Sequence, residues 1–165
     1  MIDYKKVEKK DFTLLSSIAK RLWHLAYDNL LGSTQVEYMI SKFQSTSAFE
    51  SQTENEHYTY YFITYNNEKV GYVALQNSPN EERLFLSKLY LAPEIQKKGI
   101  AVKTLNFIKD KAKEWKKKAV YLTVNKANER AILVYEKFGF FKINSVVTDI
   151  GNGFVMDDFI YQLQI

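Results

Sequence analysis

Residues 96–101 read Gln96-Lys97-Lys98-Gly99-Ile100-Ala101, "QKKGIA", and join a stretch with strand character to one with helix character. Upstream, "RLFLSKLYLA" (83–92) is an apolar run of strand length. Downstream, Leu105, Ile108, Ala112 and Trp115 recur at i, i+3, i+7, i+10 with lysines outside the stripe, which predicts a helix over 99–117. "AVYLTV" (119–124) follows, an almost wholly apolar strand of the kind buried on both faces. A β-α-β unit sets its two strands parallel, and ligands in such sheets gather at the carboxyl ends of the strands. The glycine stretch stands at that end. A helix start leaves its first N–H groups unpaired and carries a partial positive charge, so a phosphate placed there is held by several amides at once. Gly99 and Ala101 are small enough for close approach, Lys97 and Lys98 add charge, and Gln96 offers an amide. The stretch is neither G-x-G-x-x-G nor a Walker loop. Taken alone, it reads as turn chemistry entering a surface helix.

Outward from this unit, residues 1–7 predict a short strand. Leu14, Leu15, Ile18, Leu22 and Leu25 predict a helix from Asp11, as N-cap, to about Leu31. "GSTQVEYMISKF" opens a second helix, with Ser33 or Thr34 as cap and Glu37 placed to close a capping box. Residues 46–56 are polar and fit a third short helix or a loop. "HYTYYFITY" (57–65), the turn "NNEK" and "VGYVALQN" (70–77) read as a hairpin. Residues 127–138 predict a helix, and two strands follow around Gly151-Asn152-Gly153. The expected fold is α/β: one mixed, mostly antiparallel twisted sheet flanked by helices, as a single domain over residues 1–165.

Composition narrows the function. The chain has 165 residues, 46% apolar and 25% charged, as in ordinary soluble proteins. Its 12 Tyr and 11 Phe suggest a well-filled core and an aromatic-lined cleft. Without cysteine, disulfides, thiolate catalysis and thiolate metal sites are excluded, and no metal is expected. "MIDYKKVEKKDF" has no apolar core of signal-peptide length, and no run approaches a membrane helix, so a cytoplasmic location is expected. The net charge of +4 is local: "KDKAKEWKKK" (109–118) holds six of the 23 basic residues. That run reads as a solvated helix face, and no specific nucleic-acid partner is expected.

A second constellation changes the weight of the first. "NKANERAILVYEKFGF" (125–140) puts Asn128, Ala131, Ile132 and Tyr135 on one helix face, an arrangement that also suits a helix with a core tyrosine. In this order the two segments resemble the GCN5-related N-acetyltransferase (GNAT) family. Gln96, Gly99 and Ala101 match the fixed positions of the family's Gln/Arg-x-x-Gly-x-Gly/Ala loop. Asn128, Ala131, Tyr135, Gly139 and Phe140 match Asn-x-x-Ala-x-x-x-Tyr-x-x-x-Gly-Phe in full. The likeness runs over roughly residues 57–163.

The resemblance implies acetyl-CoA as donor and a primary amine as acceptor. It assigns the pyrophosphate to the backbone of Gln96, Lys97, Lys98, Gly99, Ile100 and Ala101, and the pantetheine to backbone groups of Leu89, Tyr90 and Leu91. One of those N–H groups would polarise the thioester carbonyl. Asn128 and Ala131 would meet the cofactor from the later helix, and Tyr135 would donate to the departing thiolate. A phenol near pKa 10 is a weaker acid than a thiol near 8.5, and full transfer costs roughly 2 kcal/mol, so a hydrogen bond to the thiolate states that role best. Many members supply a base glutamate from the strand before the loop. Here that strand carries Lys88, leaving Glu94, a water relay or Tyr90 as alternatives.

"LAYDNLLGSTQVEYMISKFQSTSAFESQ" and "IGNGFVMDDFIYQL" are similar to the PaiA-type bacterial spermidine/spermine N-acetyltransferases. A polyamine needs carboxylates and aromatic faces, for which Tyr27, Asp28, Glu37, Tyr38, Asp157 and Asp158 are the candidates. The basic net charge stands against that acceptor. Other amines (a protein N-terminus, a lysine, an aminoglycoside) and a regulatory acetyl-CoA-binding module remain open, as does a homodimer.

Overall fold

The computed structural model describes residues 1–96 and 98–165. Seven strands form one sheet: β1 (Ile2–Lys6), β2 (Tyr58–Tyr65), β3 (Glu68–Gln76), β4 (Arg83–Leu91), β5 (Ala119–Asn125), β6 (Phe141–Gly151) and β7 (Phe154–Gln164). Their order is β1-β2-β3-β4-β5-β7-β6, antiparallel throughout except for the parallel pair β4–β5. Helices α1 (Phe12–Leu31), α2 (Ser33–Phe43) and α3 (Thr46–Asn55) precede β2, while α4 (Ile100–Glu114) links the parallel pair and α5 (Glu129–Phe138) leads into β6.

Local chemistry fixes the joints. Asn66 and Asn67, with φ of 50° and 68°, make the β2–β3 hairpin a two-residue turn, so β3 starts at Glu68 rather than Val70. Residues 46–55 are helical, with the Ser45 hydroxyl accepting from the Ala48 amide at 3.2 Å. Three expected caps differ. Asp11 turns back to accept from the Glu8 amide at 3.0 Å, closing a short 3-10 turn ahead of α1. Ser33 and Thr34 lie inside α2, because Gly32, at φ 83°, both ends α1 and precedes α2 without a side-chain cap. Glu37 is drawn to His24 on α1 instead of closing a box. Helix α4 ends at Glu114, where Trp115 and the left-handed Lys116 (φ 58°) turn the chain toward β5. On β5, Ala119, Val120, Leu122 and Val124 are buried but Tyr121 and Thr123 are half-buried; the Arg83 guanidinium covers the Tyr121 ring at 4.1 Å. That strand is therefore sealed on one face only.

The core between the sheet and α1–α3 contains polar groups that satisfy one another. Trp23 Nε1 donates to the Tyr72 hydroxyl at 2.7 Å, and Tyr72 donates to Gln44 Oε1 at 2.7 Å. Gln44 Nε2 donates to the Tyr60 hydroxyl at 3.2 Å, and Tyr60 donates to Gln52 Oε1 at 2.5 Å. Trp23, Tyr72, Gln44 and Tyr60 are all essentially inaccessible, so each bond offsets a desolvation cost. Phe107 of α4 stacks on Tyr4 and meets the edge of Tyr61 on the sheet's other face.

Candidate active site

The parallel pair is paired for only part of its length. Arg83–Leu86 on β4 lies against Ala119–Leu122 on β5. Beyond that point β4 stays with β3 to Leu91, and β5 stays with β7 to Asn125. The strands part, leaving one edge of β4 over residues 87–91 without a strand partner. A cleft of about 420 Å³ opens there.

Two features shape the β4 wall. The register slips between Ala74/Leu75 of β3, which pair with Lys88 and Leu86, so Ser87 is an extra residue. This bulge shifts the alternation and turns Lys88 and Tyr90 to the α1 face beside Ala74 and Tyr72. Farther along, Gly71 lies opposite Leu91; a Cβ there would collide with the Tyr90 carbonyl oxygen and sit 3.1 Å from Leu91 Cα. Only glycine admits so close a strand.

At the mouth, Gly99 is left-handed (φ 73°) and precedes α4 without a side-chain cap. The first amides of α4, from Ile100 on, therefore point out of the helix end. Gln96 Nε2 donates to the Leu91 carbonyl at 3.3 Å, and its buried Oε1 has no partner among the described residues. A small-residue helix start fits the phosphates of a co-substrate such as acetyl-CoA, and the orphaned Gln96 Oε1 beside it, an acceptor, fits an N–H or O–H donor of that co-substrate. From the other wall, Asn128 caps α5, its Oδ1 accepting from the Ala131 amide at 3.3 Å.

Of the residues expected from the sequence, Tyr27, Leu89, Tyr90, Leu91, Gln96, Ala101, Asn128, Ala131 and Tyr135 line this cleft. Gly99, Ile100 and Lys98 belong to its helix-start rim. Lys97 lies outside the described residues. The remaining candidates are engaged elsewhere. Asp28 and Glu37 bind the two nitrogens of His24 at 2.7 and 2.5 Å, Tyr38 donates to the Ile150 carbonyl at 2.6 Å, and Asp157 pairs with Lys126 at 2.8 Å. Asp158 is only 5% exposed and lies on β7 opposite Asn125.

The electrostatics separate the candidate acids and bases. Burial pushes the Tyr135 hydroxyl above its ordinary value, with Tyr27 adding to the effect. Burial likewise pushes Tyr90 well up; its hydroxyl shares a 2.8 Å hydrogen bond with Tyr27. Both phenols stay protonated, so Tyr90 is unsuited to act as a base. Glu94 is exposed, held below the usual carboxylate range by its own backbone and by Arg21 at 3.1 Å. Burial lowers the Lys88 ammonium to about 8 against the pull of Asp158, and raises the Asp158 carboxyl to about 6, helped by Asp157 and opposed by Lys88 and Lys126.

Several cleft residues were not marked by the sequence: Ser87, Thr123, Arg130 and Val134 on one side and Leu22, Leu25 and Ala26 of α1 on the other. Leu22 and Leu25 read as the core stripe of α1, and Arg130 beside Glu129 reads as solvated surface. For Ser87 and Lys88 the available signal is two polar residues in succession within an apolar strand, the mark of a bulge.

The fold and the cleft together define an acyltransferase frame. A family model described as the Acetyltransferase (GNAT) family matches residues 20–140, and the chain belongs to that family. An uncharacterized N-acetyltransferase of Mycobacterium bovis is 28% identical over 134 residues, covering 81% of this chain and 85% of its own. Another, from Lactobacillus delbrueckii subsp. lactis, is 28% identical over 99 residues, and the match spans only 57% of its length. Among solved structures, the PaiA N-acetyltransferase of Thermoplasma acidophilum in complex with coenzyme A superposes with a TM-score of 0.82 at 21% identity, covering 100% of this chain and 99% of that one. A chimera of the Vibrio cholerae spermidine N-acetyltransferase SpeG and hSSAT gives 0.71 at 19% identity, covering 99% and 95%. At these identities the two structures speak for the fold.

Proposed function

We propose that the protein moves the acetyl group of acetyl-CoA to a primary amine, with a polyamine such as spermidine or spermine as the acceptor class. The observation that carries the reaction is the parted β4–β5 pair, whose free strand edge leads to a helix start and faces Tyr135 across one cleft. On this reading the backbone of Leu89, Tyr90 and Leu91 holds the pantetheine. The loop from Gln96 to Ala101 holds the pyrophosphate, and Asn128 and Ala131 close the far wall. The acceptor nitrogen bonds to the acetyl carbon as the C–S bond breaks. Tyr135, kept protonated by burial, donates a hydrogen bond to the leaving sulfur. Arg130 at the cleft supplies positive charge for the phosphates.

The polyamine rests on the sequence likeness to the PaiA type and on the fold shared with a spermidine N-acetyltransferase. Tyr27 is the aromatic candidate that lines the cleft, and Asp158, whose charge acts on Tyr27, is the carboxylate candidate. Lys88 favours a second reading, an acceptor with a single amine such as a peptide N-terminus, because it shares the sheet face of the lining residue Tyr90 and its positive charge repels a polycation.

Acetyl-CoA turnover against spermidine, spermine, lysine, peptide and aminoglycoside acceptors separates the two. Preference for spermidine or spermine supports the first, and turnover of peptides alone supports the second. Absence of turnover with any amine, with coenzyme A still bound, would make the protein a binding module. In the active case Tyr135→Phe should lower kcat roughly 100-fold while leaving coenzyme A affinity unchanged; an unaltered kcat removes Tyr135 from the chemistry.

A further inference from the structure

Among the described residues no acidic side chain lines the cleft, although an amine must lose a proton before it can attack. Its ionisable lining groups are the phenols Tyr27, Tyr90 and Tyr135, each pushed upward by burial, and the cationic Arg130. Glu94 is exposed and bound to Arg21. Among the described residues the only buried carboxylate is Asp158. It is 5% exposed, yet among the described residues its side chain accepts no hydrogen bond and has no cation within ion-pair distance. Its strand neighbour Asp157, by contrast, is paired with Lys126 at 2.8 Å. Among the described residues only Gln96 Oε1 is both enclosed and unpartnered, so the Asp158 oxygens keep a narrow opening rather than lying in packed core, and carboxylates so placed concentrate where chemistry needs them.

The register shows which way it faces. Asp158 lies opposite Asn125 on β5, and strand alternation puts Asn125 on the same face as Thr123 and Tyr121. Tyr121 stacks on Phe85 there, and the bulge at Ser87 turns Lys88 to that face as well. Three elements thus converge over Thr123: β7 with Asp158, β4 with Lys88, and α1 with Tyr27. The charge of Asp158 is felt by both Lys88 and Tyr27. Lys88 spends its hydrogen bond on Ser87 Oγ at 2.8 Å and does not reach the carboxylate. The hollow between them lies on the side of the sheet away from α4 and α5, where an amine can meet the thioester without crossing the co-substrate.

We infer that Asp158 is the general base of the reaction, taking the proton of the acceptor ammonium, and that Lys88 is a positioning residue that keeps Asp158 ionised. The inference rests on the acetyl-transfer reading above. The step balances: one ammonium proton passes to the carboxylate, the freed nitrogen pair forms the N–C bond as the C–S electron pair leaves with the sulfur, and the second proton shed by the acylated nitrogen ends on the thiolate. The charged and titratable groups around Asp158 are Lys88 from β4, Lys126 after β5, Tyr27 from α1 and Asp157 on its own strand. The two lysines hold the carboxyl down; burial and Asp157 raise it.

The test is the pH profile of kcat, using the whole chain and the best acceptor from the panel. The wild type should lose activity below about pH 6, where Asp158 takes up a proton, and be level above it. Asp158→Asn should fall roughly 100-fold at pH 7 and then climb about tenfold per pH unit toward the acceptor's own pKa, with coenzyme A affinity unchanged. Asp158→Glu should restore a level region. Lys88→Met keeps the base and removes the charge that favours its ionised form, so the acid limb should move to higher pH. A level profile at wild-type rate in Asp158→Asn overturns the assignment while the acetyl-transfer reading stands. So does an acid limb unmoved by Lys88→Met, a result that holds even if Asp158→Asn fails to fold. A wild type that acetylates no amine overturns both readings together.

Discussion

The two faces of the cleft are built on different principles. Toward α4 and α5, the site is made largely of backbone: the bare edge of β4, the start of α4 behind Gly99, and the capped start of α5. Toward α1 and β7 it is made of side chains: Tyr27 on Tyr90, Lys88 on Ser87, and Asp158 facing the gap. The backbone half demands glycine, small residues and caps at fixed spacing. The side-chain half demands only that residues distant in sequence arrive together.

The largest expected effect tests whether the backbone half depends on a single close approach. Gly71→Val would drive a branched side chain into the Tyr90 carbonyl and Leu91, costing about 3 kcal/mol in a urea titration and weakening coenzyme A binding. A stable variant with wild-type affinity would show that β4 can shift without cost. Next comes Asn128→Ala, which removes the cap of α5 and should cost about 1 kcal/mol. If coenzyme A affinity stays constant, Asn128 is a cap alone; a loss of tenfold or more makes it a contact as well.

The smallest effect concerns the α1–α2 clasp on the side-chain half. His24, raised first by its hydrogen bond to Asp28 and also by Glu37, gains a proton more readily folded than unfolded. Its stabilisation is complete below about pH 6.5 and is lost as pH rises through the raised value. His24→Ala should shrink the gain in melting temperature between pH 8 and pH 6. An unchanged gain would assign that pH dependence to other groups.

This division also explains what was legible in the sequence. Gly99, Ala101, Asn128 and Tyr135 follow spacings that the helix starts and helix faces impose, so the position of this wall of the cleft could be read from short segments. The element order was equally plain, because the change from helical to alternating period near residue 57 is sharp. The acceptor half was not plain. Asp28, Glu37 and Tyr38 sit on helix surfaces where charge and aromatic content read as a binding face, and their partners, His24 and the Ile150 carbonyl, are set by tertiary packing that no short segment shows. Nothing local distinguishes Asp157 from Asp158. Strand alternation sends them to opposite faces, and only the pairing with β5 decides which one looks toward Lys88. Lys88 was noticed as the absence of a glutamate, whereas its direction depends on an extra residue that only the β3 register reveals.

The polar chain through the core, from Trp23 to Gln52, runs in one direction only. An indole can give a hydrogen bond but not take one, so Trp23 obliges Tyr72 to give its own onward. That orients the Gln44 amide, and through it Tyr60 and Gln52, whose amide ends on the Phe43 carbonyl at 2.9 Å. Reversing any link would strand a buried donor facing another donor. With the indole fixing the sense at one end, the two phenols and two amides hold a single orientation, so one donor-only residue sets the polarity of the whole buried row.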